Sequence, residues 1–115
     1  MRYQKYFAEK SIWTTNKHVY RVVVTLCADY KRRKKVIAEG KIDSVHIEYY
    51  KLLNDAIDRA LEKGVDCDIR EQMLEDIGNR VGPYNSRCCL YMSVGTYKAQ
   101  KREAVYNIAK NLQLL

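Results

Sequence analysis

Three carboxylates, Asp55, Asp58 and Glu62, recur at i, i+3 and i+7 within "KIDSVHIEYYKLLNDAIDRALEKG", the spacing of one helix side. Hard cations take oxygen ligands of this kind, so a divalent metal is the chemistry such a row suggests. A metal site needs ligands from more than one direction, and no second set matches this one; the row reads as a solvated helix face. The four cysteines, Cys27, Cys67, Cys88 and Cys89, lack the paired C-x-x-C spacing that clamps zinc, and His18 and His46 lie in unrelated segments. The cysteines are therefore expected to be reduced, partly buried, small apolar residues. The chain carries no Gly-rich phosphate loop, no G-x-S-x-G elbow and no H-E-x-x-H helix. Neither histidine pairs with a nucleophile. These residues predict a chain that is not an enzyme and needs no cofactor.

What remains is charge. The 115 residues carry a net +7, placed unevenly. Residues 1–40 hold ten Lys/Arg against three Asp/Glu, residues 41–79 five against ten, and residues 80–115 six against one. Two basic ends flank an acidic middle. Clustered positive charge attracts polyanions over roughly a Debye length, so the ends are expected to meet an anionic partner. The run "KRRKK" (Lys31, Arg32, Arg33, Lys34, Lys35) is the densest cluster, and its plain alternative is a solvated helix face. No apolar run is long enough to span a membrane. The opening "MRYQKYFAEK" lacks the apolar stretch of a secretory signal, so the host-cell cytoplasm is the expected location.

The elements that must position these charges are helical. In "HVYRVVVTLCADYKRRKKVIAEG" the β-branched residues favour a strand, but Val19, Val22, Val23, Leu26, Cys27, Tyr30 and Ile37 fall at helical spacing, and Gly40 offers a stop. The spacing predicts a helix there, with strand as the alternative. "TTN" at 14–16 offers helix N-caps. Ile47, Tyr50, Leu53, Ile57 and Leu61 form the stripe of a second helix, begun at Asp43 or Ser44 and ended at Gly64. Ile69, Met73, Ile77 and Val81 recur four apart before Gly82-Pro83. Ser93 is the expected N-cap of the last helix, whose buried face holds Tyr97, Ala104, Val105, Ile108 and Leu112.

The predicted architecture is all-α: one small helical domain of four to five helices over 1–115, with a C-terminal helix-turn-helix-like unit. Residues 1–16 form an N-terminal arm, 17–64 two long helices, and 68–115 the tri-helical unit. A helix-turn-helix presents the first turns of its second helix to the major groove, and "RCCLYMSVGTYKAQKREAVYNI" can be laid on that template. Val94, Gly95, Thr96, Lys98, Ala99 and Arg102 would then point outward. Thr96, Lys98, Lys101 and Arg102 would contact DNA, although Lys101 falls at an inward position and would have to snorkel. Arg80 and Arg87, with residues 31–35, would add phosphate contacts.

The stretches "LEDIGNRVGPYNSR" and "YMSVGTYKAQKREAVYNIAKNLQL" resemble the C-terminal part of small phage and prophage regulators of the ArpU type. Those proteins are in turn similar to region four of sigma factors, with a Ser-x-x-Thr-apolar start to the recognition helix and an Ile-Ala-x-x-Leu ending. Here those positions are Ser93, Thr96 and Tyr97, then Ile108, Ala109 and Leu112. "DYKRRKKVIAEGKIDSVHIEYYKLLNDAID" is similar to the family's N-terminal helices. The resemblance implies an all-helical fold and a role in phage gene expression, without cofactor or catalysis. Tyr91, where the family has a small turn residue, and Pro83 depart from its pattern.

The expected function is a sequence-specific DNA-binding protein, a transcriptional regulator, with RNA polymerase or another host protein as a further partner. The alternative is a small viral protein that inhibits a host defence protein or sequesters a nucleotide through its tyrosines and arginines. An exposed rim of Tyr49, Tyr50, Tyr84, Tyr91, Tyr97 and Tyr106 would favour that alternative. The apolar tail "LQLL" can close the chain's own core or pack against a second copy.

Overall fold

Side-chain caps open three of the helices. In a computed structural model, which describes residues 16–79 and 92–115, Asn16 accepts a hydrogen bond from the Val19 N–H at 3.2 Å and starts α1, Lys17–Ala28. After α2, Tyr30–Glu39, Gly40 adopts φ 63°, a left-handed cap that a residue with a Cβ resists. Asp43 accepts from the His46 N–H at 3.0 Å and starts α3, Ser44–Gly64. A 3-10 turn, Cys67–Ile69, leads into α4, Arg70–Asn79. Ser93 accepts from the Thr96 N–H at 3.2 Å and starts α5, Val94–Asn111. Each such cap satisfies one of the N–H groups a helix start leaves without a partner. The described residues contain five α-helices and no strand.

The expected continuous helix across residues 18–40 is two helices, so 17–64 holds three rather than two. The break is at Asp29, with φ −95° and ψ 2°. Beside it Arg33 turns inward and donates to the Leu26 carbonyl in the last turn of α1. Helix ends leave carbonyls without helical partners, and this guanidinium supplies one. The Val19–Tyr30 stretch is helical despite its β-branched residues because Val23 and Cys27, four apart, are buried in the core.

The helices pair crosswise. α1 packs most extensively on α4, and α3 on α5, with α2 laid along α3. α3 and α5 run antiparallel: Asn111 donates to the Ala56 carbonyl at 3.0 Å, while Gln100, nearer the start of α5, reaches the Asp66 N–H just past the end of α3. Ile57, Ile69, Met73, Ile77, Tyr97, Val105 and Ile108 form the shared core. At the α1–α4 crossing a Cβ on Gly78 would lie 2.7 Å from the Ala28 nitrogen. Only glycine lets these two backbones come so close.

The expected supporting helix and turn at 80–91, with Arg80, Val81, Pro83, Arg87, Cys88, Cys89 and Tyr91, lie outside the described residues, as does the arm at 1–15. Leu112 and Leu114 pack against the chain's own core and Leu115 stays exposed. No helix among the described residues is long and apolar enough to cross a membrane.

Candidate nucleic-acid interface

The start of α5 is anchored from below. Tyr97, its first buried residue, is 1% exposed and donates its hydroxyl to Asp76 of α4 at 2.7 Å. Lys101, one turn on, donates to the other oxygen of the same carboxylate at 3.1 Å. Asp76 is itself buried, so this carboxylate is tolerated only because a cation and a hydroxyl meet it together. Above the anchor, Val94, Gly95 and Lys98 are exposed, while Thr96 and Arg102 are half-buried. The Thr96 hydroxyl lies 3.1 Å from that of Ser93, which donates to it.

This geometry revises two expectations for the last helix. Lys101 is inward, as its position predicted, but its ammonium is held by Asp76 instead of reaching a nucleic acid. Ala99, expected outward, is buried. The outward side of the first turns is therefore Val94, Gly95 and Lys98, with Thr96 and Arg102 at its margins.

The basic run on α2 meets a different fate. Tyr30 and Arg33 lie one turn apart on the side facing α3, opposite Asp58 and Asn54. Arg33, assigned from sequence to phosphate contact, is 1% exposed and cannot make one. Its Nε donates to Asn54 Oδ1 at 2.8 Å, and Asn54 donates onward to the Tyr30 carbonyl at 3.3 Å. Burial lowers the proton affinity of this guanidinium, and the nearby Asp29 carboxylate works against that loss. Arg32 makes two short bonds to Asp29, at 2.6 and 2.7 Å, and lies 5.4 Å from the centre of the Tyr50 ring. Those bonds hold the Asp29 carboxyl below the usual range. Lys31 pairs with Glu75 at 3.4 Å, and Lys34 shares a groove with Asp58, Glu62 and Glu71. Lys35 is exposed.

The acidic middle of the chain thus meets the chain's own basic run. Asp58 of the carboxylate row accepts the Tyr30 hydroxyl at 2.6 Å, and burial together with that bond pushes the Tyr30 phenol up. Among the described residues no cluster of three or more His, Cys, Asp or Glu is placed to hold a metal. Cys27 is buried and its thiol is pushed up to about 12 by desolvation, with Arg33 acting against it, whereas Cys67 is exposed.

The tyrosines form no common rim among the described residues: Tyr97 is buried, Tyr50 and Tyr106 are half-buried, and Tyr49 is exposed. Composition did not single out the triad of Asp76, Tyr97 and Lys101. A spacing signal existed, since Tyr97 and Lys101 are four apart, but the carboxylate that joins them comes from another helix. Set against protein-family models, curated protein sequences and solved structures, the chain matches none.

Proposed function

We propose that this protein binds DNA through the start of α5 and acts as a regulator of transcription, as its resemblance to small phage regulators implies. The observation that carries the reading is the rigid presentation of that helix start. Ser93 caps it, Tyr97 and Asp76 pin it from below, and Val94, Gly95 and Lys98 are left facing solvent. A small residue beside a lysine on a fixed first turn suits close approach to a groove edge, with the ammonium reaching phosphate. Lys35 and the exposed Arg21 of α1 add positive surface without burying charge.

Fluorescence anisotropy against duplexes tiled from the gene's own neighbourhood, across a salt series, tests this. A preferred duplex should keep an advantage of about a thousandfold over random DNA at physiological salt. Lys98→Ala should weaken all duplexes and reduce the salt slope by about one. Arg102→Ala should cost about 1–3 kcal/mol, most on the preferred duplex if the side chain reads a base. Binding that ignores sequence and vanishes by about 200 mM salt would leave only a basic surface and overturn the reading.

A further inference from the structure

Opposite the anchored start of α5, α3 exposes a face that no other described residue covers. Val45, Tyr49 and Leu52 fall at i, i+4 and i+7, one helix stripe, and are 75%, 57% and 59% exposed. Beside them runs a groove of about 700 Å3 between α3 and the end of α5, floored by Ala56 and Leu112. Apolar side chains so placed gain nothing from the monomer fold, and a contiguous stripe marks an interaction surface.

The charges along the same face identify the occupant. Glu48, Lys51, Asp55 and Arg59 follow one another along the groove, three or four residues apart, and alternate in sign. Read backwards, minus-plus-minus-plus becomes plus-minus-plus-minus. An antiparallel second copy of α3 therefore sets Glu48 against Arg59 of the partner subunit and Lys51 against Asp55 of the partner subunit. Each pair then occurs twice by symmetry. A parallel copy in register would oppose like charges throughout. The axis of this register falls near residue 53, so the two Leu52 side chains flank it. None of these four charged residues makes an ion pair with another described residue, although i, i+4 partners are in reach. The four charges sum to zero, so two copies of this face meet without net repulsion between them.

We propose that the protein forms a two-fold symmetric homodimer through the Val45–Tyr49–Leu52 face of α3, with Glu48 and Arg59 paired reciprocally across the axis. Such an isologous contact uses one patch twice, with Leu52 beside the axis, Tyr49 and Val45 successively further out, and the reciprocal charge pairs fixing register. The inference stands apart from the DNA reading and is tested without DNA.

Sedimentation of the full chain between about 1 μM and about 1 mM should show a monomer–dimer equilibrium. Leu52→Glu should abolish the dimer across that range. Glu48→Arg and Arg59→Glu should each weaken it by about tenfold or more, because each turns both reciprocal pairs into repulsions. Mixing those two variants in equal amounts should restore dimerisation, since the mixed dimer regains both opposite-charge pairs. These side chains are solvent-facing, and far-ultraviolet circular dichroism should show unchanged helix in every variant. A wild-type chain that stays monomeric throughout overturns the proposal. So does a dimer insensitive to Leu52→Glu, or a mixture of the two charge variants that associates no better than either alone.

Discussion

The two basic stretches of this chain, the unbroken run 31–35 on α2 and the spaced Lys98, Lys101 and Arg102 of α5, meet different fates. On α2 three of five cations meet acceptors: Arg33 is buried against Asn54 and Lys31 pairs with Glu75, both across helices, while Arg32 pairs locally with Asp29. On α5 it spends one cation, Lys101, on a buried carboxylate and leaves Lys98 in solvent. A charge run is thus no measure of a charged surface. What decides is which acidic helix packs alongside, because an opposed carboxylate competes with an external phosphate for the same donors.

The comparison breaks most readily at Asp76. Asp76→Ala removes the carboxylate that accepts the buried Tyr97 hydroxyl and leaves the Lys101 ammonium, 20% exposed, without its ion-pair partner. A loss of about 3 kcal/mol in urea unfolding is expected. Asp76→Asn, which still accepts from Tyr97, should lose less. If Asp76→Ala unfolds at the wild-type midpoint, the anchor beneath α5 does not hold the helix.

The α2 side yields next. Asn54→Leu leaves the Arg33 Nε without its acceptor while Leu26 and Asp29 still hold the other nitrogens. The expected cost is about 2 kcal/mol by the same measurement. Lys35→Ala, on the solvent side of the same helix, should change stability by less than about 0.5 kcal/mol. Equal effects from the two would erase the distinction between the inward and outward sides of the run.

Acid should act on α2 through Asp29. Its carboxyl lies below the usual range because Arg32 bonds it, so its contribution is complete above about pH 4, the unfolded value, and falls as pH drops through the folded value. Thermal midpoints of wild type and Asp29→Asn should therefore differ at pH 6 and converge towards pH 2. A gap that persists undiminished at the lowest pH would exclude the ion pair as its source. The smallest effect is chemical: at pH 8, peptide mapping after brief iodoacetamide treatment should find Cys67 modified and Cys27 untouched. The Cys27 thiol, pushed up to about 12, has almost no thiolate there. Rapid labelling of Cys27 in the native protein would contradict its burial beside Arg33.

The caps show what is legible locally. Ser93, Asp43 and the glycine stop at residue 40 all act where their residue types predicted, because a cap is a contact within four residues and its partner is the chain's own backbone. The stripes Leu53–Ile57–Leu61 and Ile69–Met73–Ile77 were legible for the same reason, since helical period puts them on one side wherever the helix goes. Three features were not. The break at Asp29 leaves no mark in the apolar period, so local spacing alone carried the expected helix straight through it. Lys101 could be placed inward but its carboxylate could not be named, because Asp76 is 25 residues away in sequence. The exposed stripe of Val45, Tyr49 and Leu52 on α3 was not singled out, since period cannot tell which apolar side a neighbour will cover.

By itself the sequence determined the helical stripes of 44–64 and 69–77, where the well-capped helices begin, and that the chain's ends are basic about an acidic middle. Those properties follow from residue type and short-range geometry. Tertiary structure decided which charges survive as surface. It sent Arg33 and Lys101 inward, left Lys98 and Lys35 in water, and exposed Val45, Tyr49 and Leu52 beside a self-complementary row of charges. The physical reason is that desolvation and ion pairing depend on what lies across the contact, and that is set only when α1 meets α4 and α3 meets α5.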